Sequence, residues 1–392
     1  MLGTTRILIG ILLVGLWVGG TAQGNEADPE KQAGKKSPYY PYEFRLLHEI
    51  PHSQVKSQDK TGTCWAFAAV SFLESEHLRQ FGKTLDLSEI FIARHVYPKK
   101  AEVYIRRNGH ANFWEGSLIH DALWAIGQYG IVPESAYPGR RHEDGRHDHR
   151  EMAAVLKAML DAVLERPARK LSDCWPSGFD GLLDAYLGKP PESLEFDGRT
   201  MSPVEFRDRI VRLDLSEYVQ LTSFTHHPFY VPFQLEIPDN WSGSRPFYNV
   251  PLDELEEAVD HAVNNGYSVA WDGDVSERSA AKKRRGFAVI PEDRQVSLKE
   301  IEEPVTEKEV HQRQRQQTFD NAQTTEDHVM HLIGIAEDQT GAKFYLVKDS
   351  WFTRTDYEGR IYLSRPYFRL KTIAVMMHKD ALPKLIRNKL GF

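Results

Sequence analysis

The chain has 392 residues, a net charge of −7, 41% hydrophobic residues and two cysteines. A mild negative charge without a stripe of interleaved basic and aromatic residues argues against a nucleic-acid partner. Two cysteines allow at most one disulfide, so the fold must hold by packing, which a chain of this length can supply as one elaborated domain or two lobes.

Residues 1–23 read as a signal peptide. A start carrying Arg6 is followed by an uncharged, mostly apolar run over 7–20 and a small, polar exit at Thr21-Ala22-Gln23-Gly24. The apolar run is shorter than the ~20 residues that span a bilayer. The expectation is an exported protein, periplasmic or secreted, with an uncleaved anchor as the alternative. Residues 24–40 are charged and polar and form a flexible lead-in, which leaves 41–392 as the folded body.

Along that body, Trp65, Ala68, Ala69, Phe72 and Leu73 recur at helical spacing after Cys64, and Gly82 supplies the stop. A second helix starts at Ser88. A third covers 117–129 and ends at Gly130, with Pro133 just beyond. The stretch 140–150 is charged and carries three histidines, but no metal-ligand spacing stands out, so a solvated loop is expected. Residues 151–164 form an amphipathic helix. Cys174 reads as a buried small hydrophobe, with a Cys64–Cys174 disulfide as the competing possibility. Residues 202–213 are expected to be helical, with Ser202 as cap and Pro203 at the first position.

After about residue 218 the chain turns aromatic and β-branched. Strands are expected within 218–237 and at 267–271, 286–290, 329–336, 343–348, 359–364 and 372–378. Helices are expected at 251–265, stopped by Gly266, and at the charged stretch 297–317. The run Lys282-Lys283-Arg284-Arg285 reads as a solvated turn. A helical first part, a mixed middle and a β-rich last part suit an α+β architecture of two lobes with a cleft between them.

The chemistry concentrates around Cys64. Unpaired N–H groups at a helix N-terminus favour a thiolate, and Cys64 opens a helix. Gln58 offers a side-chain N–H to an oxyanion, with the Cys64 N–H as the second donor. Downstream, His328 stands at the mouth of one apolar strand and Asp349-Ser350-Trp351 ends the next. Pairing those strands antiparallel brings Asp349 beside His328, where it can fix the imidazole tautomer, and Trp351 can screen that bond from water. His328 and His331 point to opposite sides of a strand, so a joint metal site is not expected, and His331 reads as a core or rim residue. His226 and His227 precede Pro228 in a loop with no partner signal.

Gln58, Cys64-Trp65, His328 and Lys348-Asp349-Ser350-Trp351, in that order, resemble papain-like cysteine peptidases, and within them the bleomycin hydrolase / aminopeptidase C branch. Gly127-Gln128-Tyr129-Gly130-Ile131-Val132-Pro133-Glu134 and Tyr248-Asn249-Val250-Pro251 resemble that branch too. The likeness covers roughly residues 45–385 and is weakest over about 140–215. The histidine lies 328 − 64 = 264 residues after the cysteine, against ~130–150 in ordinary papain-like enzymes, and the branch is known for such insertions. Thr61 stands where the secreted enzymes carry a disulfide cysteine, which fits a disulfide-free lineage.

The resemblance implies a papain-like two-lobed fold with an insertion at about 140–250, and a thiol aminopeptidase acting on peptides without cofactor or metal. It further implies catalytic Cys64, His328, Asp349 and Gln58, a hexamer, and a C-terminal tail lying in the cleft, for which residues 379–392 are long enough. A plain surface helix is the other reading of that tail. Gly116, Trp65 and Trp351 are the substrate-side residues, with Trp65 also readable as packing. Three positions depart from the family: Asp349 replaces its Asn, Phe352 replaces the Gly after the Trp, and only Gly116 remains of a glycine pair that binds the substrate strand. An endopeptidase of the same fold, or an impaired peptide-binding homologue, are the alternatives.

Overall fold

The apolar run that begins at Cys64 is helix α1, Cys64–Phe81, and it stops where Gly82 turns left-handed (φ 65°) and its N–H bonds Leu78 O. This is a computed structural model; it describes residues 41–139, 145–165, 170–276, 286–293, 301, 303–351 and 358–392. The chain divides into residues 1–38 and 39–392, and only the second unit is described. The signal peptide, most of the lead-in, the Lys282-Lys283-Arg284-Arg285 run and Phe352 therefore lie outside the described residues.

Ser88 caps α2, Glu89–Arg106, by accepting from the Phe91 N–H. Then come α3, Ile119–Tyr129, α4, Arg150–Leu164, and α5, Trp175–Leu187. The spacing reading missed α5, because Pro176, Gly178 and Gly181 mask its buried stripe of Phe179, Leu183 and Leu187. Cys174 sits at the N-cap ahead of that stripe and is exposed, not the buried hydrophobe expected, and both cysteines are free thiols. A small hairpin, β2 (Leu194–Phe196) with β3 (Arg199–Met201), leads to α6, Pro203–Phe206, where Ser202 and Glu205 form a capping box. The helix expected over 202–213 loosens into a π-turn at Arg207–Val211 and ends at left-handed Arg212.

The remaining strands build one sheet with β1, Arg45–Glu49: β4 (Tyr218–Thr222), β5 (Pro232–Phe233), β6 (Phe247–Asn249), β7 (Val269–Gly273), β8 (Phe287–Ala288), β9 (His328–Glu337), β10 (Lys343–Lys348), β11 (Arg360–Ser364) and β12 (Thr372–His378). Among the described residues the order is β5-β6-β4-β12-β7-β9-β10-β11-β8, with β1 also on β9. Pairs are antiparallel except β4/β6 and β8/β11. Gly334 is required where β1 crosses β9, since a Cβ there would stand 2.5 Å from His48 O. The interleaved helices are α7 (Leu252–Asn264), α8 (Gln312–Asp320), α9 (Arg365–Lys371) and α10 (Lys384–Leu390). Of the helix expected over 297–317, the part from Gln312 onward is helical, and among the other described residues 301 and 303–311 are not.

Strand alternation sorts the core into two layers. Ala270, Val329 and Met376 point to the side where α1–α5 pack. Their neighbours Trp271, Met330, Val375 and Met377 point to the side of α7, α9 and α10. Ile386 and Leu390 of α10 join that second layer, Lys389 pairs with Glu254 of α7, and Phe392 packs on Tyr248 of β6 at a centroid distance of 4.8 Å. The tail is thus a surface helix docked on α7 and not a segment beside Cys64.

Candidate active site

Thr63 ends the loop before α1 without a side-chain cap, because its hydroxyl is bonded to Thr61 Oγ1 instead. The Cys64 and Trp65 N–H groups, first in the helix, make no hydrogen bond among the described residues. They leave a positive helix end directly under a half-buried thiol. Gln58, fully buried, donates from Nε2 to Thr61 O at 2.6 Å and keeps a second N–H on the same nitrogen.

Two bonds fix Gln58 to Ser350, and a third holds the residue before Ser350 in place. Gln58 Oε1 accepts from Ser350 Oγ at 2.6 Å, the Gln58 N–H bonds Ser350 O at 2.7 Å, and Asp349 N bonds Gly359 O at 2.9 Å. The nucleophile loop and the end of β10 are thereby one unit. β9 and β10 pair antiparallel with Lys348 opposite His331, which sets Asp349 beside His328 as the strand reading expected. His328 Nε2 donates to Asp349 Oδ1 at 2.8 Å, and that oxygen also accepts the Ser350 N–H at 2.7 Å. The Trp351 ring lies over the imidazole with centroids 4.3 Å apart.

With Nε2 taken, the remaining nitrogen, Nδ1, is the one left for Cys64, and no other described residue bonds it. Burial by itself would lower the His328 pKa. The Asp349 charge and hydrogen bond, followed by the hydrogen bonding and charge of Cys64, outweigh it and raise the imidazole to about 10. A proton held on His328 beside a sulfur at a helix N-terminus is what a thiolate–imidazolium pair requires.

Two families of sequence match the chain. The Peptidase C1-like family matches residues 119–391, and the papain family of cysteine proteases matches 42–166. The chain belongs to the Peptidase C1-like family. It is 21% identical over 86% of its length to Aminopeptidase G of Lactobacillus delbrueckii subsp. lactis, covering 83% of that protein. It is 23% identical to Aminopeptidase C of Listeria monocytogenes serovar 1/2a, over 86% of this chain and 82% of the relative. The crystal structure of PepW from Lactobacillus rhamnosis HN001 superposes with a TM-score of 0.69 at 18% identity, covering 90% of this chain and 85% of that one, which establishes the shared fold.

Set in this family, the remaining expected site residues divide. Trp65 is fully buried, with its Nε1 donating to Glu115 O at 3.0 Å, which favours the packing reading. Gly116 borders the site, but Asp239 stands over it, so that a Cβ on Gly116 would lie 2.0 Å from Asp239 Oδ2. Sequence reasoning missed Glu115, whose Oε2 accepts the Gly62 N–H at 2.8 Å and lies 3.6 Å from His149 Nδ1. His147 and His149 are buried, not the solvated loop expected, because the 147–149 backbone exchanges hydrogen bonds with Lys60 beside the nucleophile loop. The only hint was the density of histidine there. His226 and His227 do have a partner, each bonding Glu236 through Nε2. Gln316 donates to His226 Nδ1 while its Oε1 accepts from Thr225 N, so Nε2 of His226 carries the proton and the group is hydrogen-bonded, not set for a metal.

Proposed function

We propose that the protein is a cysteine aminopeptidase that releases N-terminal residues from peptides. The observation that carries the reading is the Asp349-held imidazole of His328 beside a thiol at the N-terminus of α1. In this reading the Cys64 thiolate attacks the carbonyl carbon next to the peptide N-terminus. The developing oxyanion is received by the Cys64 N–H and the second Gln58 Nε2–H. His328 gives its proton to the leaving amine, a thioester remains on Cys64, and neutral His328 then takes a proton from the water that hydrolyses it. Asp349 keeps the imidazole oriented and charged, and Trp351 covers their bond. The aminopeptidase names of the relatives and the family match support the reaction class.

An epoxysuccinyl thiol-protease inhibitor should leave one covalent adduct on Cys64 and abolish turnover of aminoacyl-coumarin substrates. Absence of both adduct and turnover overturns the enzyme reading. Preference for N-acylated over free-amine peptides makes the protein an endopeptidase instead. We further propose export by residues 1–23, checked by N-terminal sequencing of the protein from fractionated cells. Assembly as a hexamer, the state implied for the resembled branch, is read by analytical ultracentrifugation.

A further inference from the structure

Three carboxylates lie next to the thiol–imidazole pair, and the mechanism uses none of them. Asp239 arrives on the 234–246 connection between β5 and β6, which is anchored immediately after it. Asn240 Nδ2 donates to Leu235 O at 2.8 Å, buried Trp241 donates from Nε1 to Ser117 Oγ at 2.8 Å, and Ser242 Oγ bonds Asp121. Asp239 Oδ1 accepts from Asn112 Nδ2 at 2.6 Å and lies 3.6 Å from Lys100 Nζ. Its Oδ2 makes no hydrogen bond among the described residues and projects across Gly116. Gly116 follows Glu115, which holds both Gly62 and Trp65 on the two sides of Cys64.

Opposite, Asp272 is 3% exposed and its Oδ1 has no hydrogen-bond partner. It shares the strand face of Ala270, the face toward α1, and pairs in register with Val329, the neighbour of His328. Glu326 stands two residues before His328, and its carboxylate is within electrostatic reach of Asp239, Asp272, Asp327 and Cys64. Burial and mutual repulsion push the Asp272 and Glu326 carboxyls well above their ordinary range. The unpartnered Asp272 oxygen and the free Asp239 Oδ2 line this end of the cleft with acceptors, which suit a hydrogen-bond-donating cation and repel a carboxylate. The described cation on this side, Lys100, is already committed to Gly116 O and Asp239. A metal ion does not fit. Among the described residues the one set of three ligand atoms within 4.8 Å of one another is His226–His227–Glu236, so these carboxylates do not close on a single ion.

We infer that Asp239, projecting over Gly116 with Asp272 and Glu326 behind it, receives the α-ammonium of the substrate's first residue and closes the cleft beyond it. The inference rests on the aminopeptidase reading and names the element that enforces it. That element is a loop of the middle segment and not α10, which packs on α7.

The test compares an aminoacyl-coumarin with a free amine against its N-acetyl form on the same preparation, for wild type, Asp239→Asn and Asp239→Ala. The ratio of the two rates is independent of the fraction folded. Wild type should prefer the free amine. Asp239→Asn should lower that ratio about 10- to 100-fold, the loss of a charge-assisted hydrogen bond, and the change should fall mainly on KM for the free-amine substrate. Asp239→Ala should lower it further by admitting the acetyl group. A free-amine preference in wild type that persists unchanged in both variants overturns the inference and leaves the aminopeptidase reading standing. A wild-type preference for the acetylated substrate overturns both.

Discussion

His328 and His331 stand three residues apart on β9, 1% and 0% exposed, and their protons are driven in opposite directions. Burial lowers both. At His328 the Asp349 carboxylate reverses the sign and lifts the ring to about 10. At His331 the partner is the neutral Ser71 hydroxyl, 2.7 Å from Nδ1, and the nearby charges are Lys348 and His52, so the ring is held well below its ordinary range. Equal burial therefore makes one histidine a held cation and the other a neutral core residue. The charge of the nearest partner decides the role, and strand alternation decides which partner each side chain meets.

The largest expected break of this contrast is in rate. In the proposed mechanism His328→Ala removes the proton carrier, and it should lower kcat by about 10⁴- to 10⁶-fold, the range seen when members of a catalytic triad are deleted. His331→Asn touches no reacting atom and should leave kcat within about tenfold, since it acts only through packing and the Ser71 bond. Steady-state rates on a free-amine coumarin substrate, normalised to titrated Cys64, read both. A comparable collapse in His331→Asn would show that the two rings share one function.

A smaller effect sharpens the contrast by weakening its cause. Asp349→Asn keeps a hydrogen-bond acceptor for Nε2 and removes the charge. The charged or titratable groups acting on His328 are then Cys64 and, more weakly, Asp272. The sign is determined: without the Asp349 charge, burial is less opposed and the imidazole pKa falls. The basic limb of the kcat/KM profile should move about 1 to 3 units toward acid. An unmoved basic limb would mean that the Asp at this position does not set the charge of His328.

This pair also shows what could be read before any coordinates. Cys64, His328 and Asp349 were legible because each sits at the end of an element whose apolar period is unambiguous. β10 runs over Lys343–Lys348 and β12 over Thr372–His378, where the sequence pattern had placed them. The core role of His331 followed from the same alternation. Asp239 and His149 were not legible, because each is brought to the site by a loop whose route depends on tertiary anchors such as Trp241–Ser117 and Lys60–His147. Local pattern carries no trace of a contact between residues 124 apart. α5 was lost for a different reason: a proline and two glycines in thirteen residues outweigh three buried positions in any propensity argument.

The smallest effect concerns stability rather than rate and isolates His331. A histidine whose folded pKa lies below its unfolded value stabilises the protein above about pH 6.5 and loses that contribution as pH falls through the folded value. His328 has the opposite sign: its contribution is complete below about 6.5 and is lost as pH rises through about 10. His331→Asn should therefore be less stable than wild type near pH 7.5, by about 1 to 3 kcal/mol from imperfect pairing of Ser71 and lost ring packing. That gap should narrow on acidification toward pH 5, because only wild type must keep a neutral ring neutral. Lys56, Glu74, Glu89 and Lys348 line the same interior. Glu89 is pushed up to about 8 by burial, against the pull of Lys56. These groups are common to both proteins and largely cancel in the difference. Thermal melts of the two proteins at pH 5, 6, 7 and 7.5 read the gap directly. A gap that stays constant or widens on acidification would mean that His331 is not held neutral, and that Ser71 and Lys348 do not distinguish it from His328.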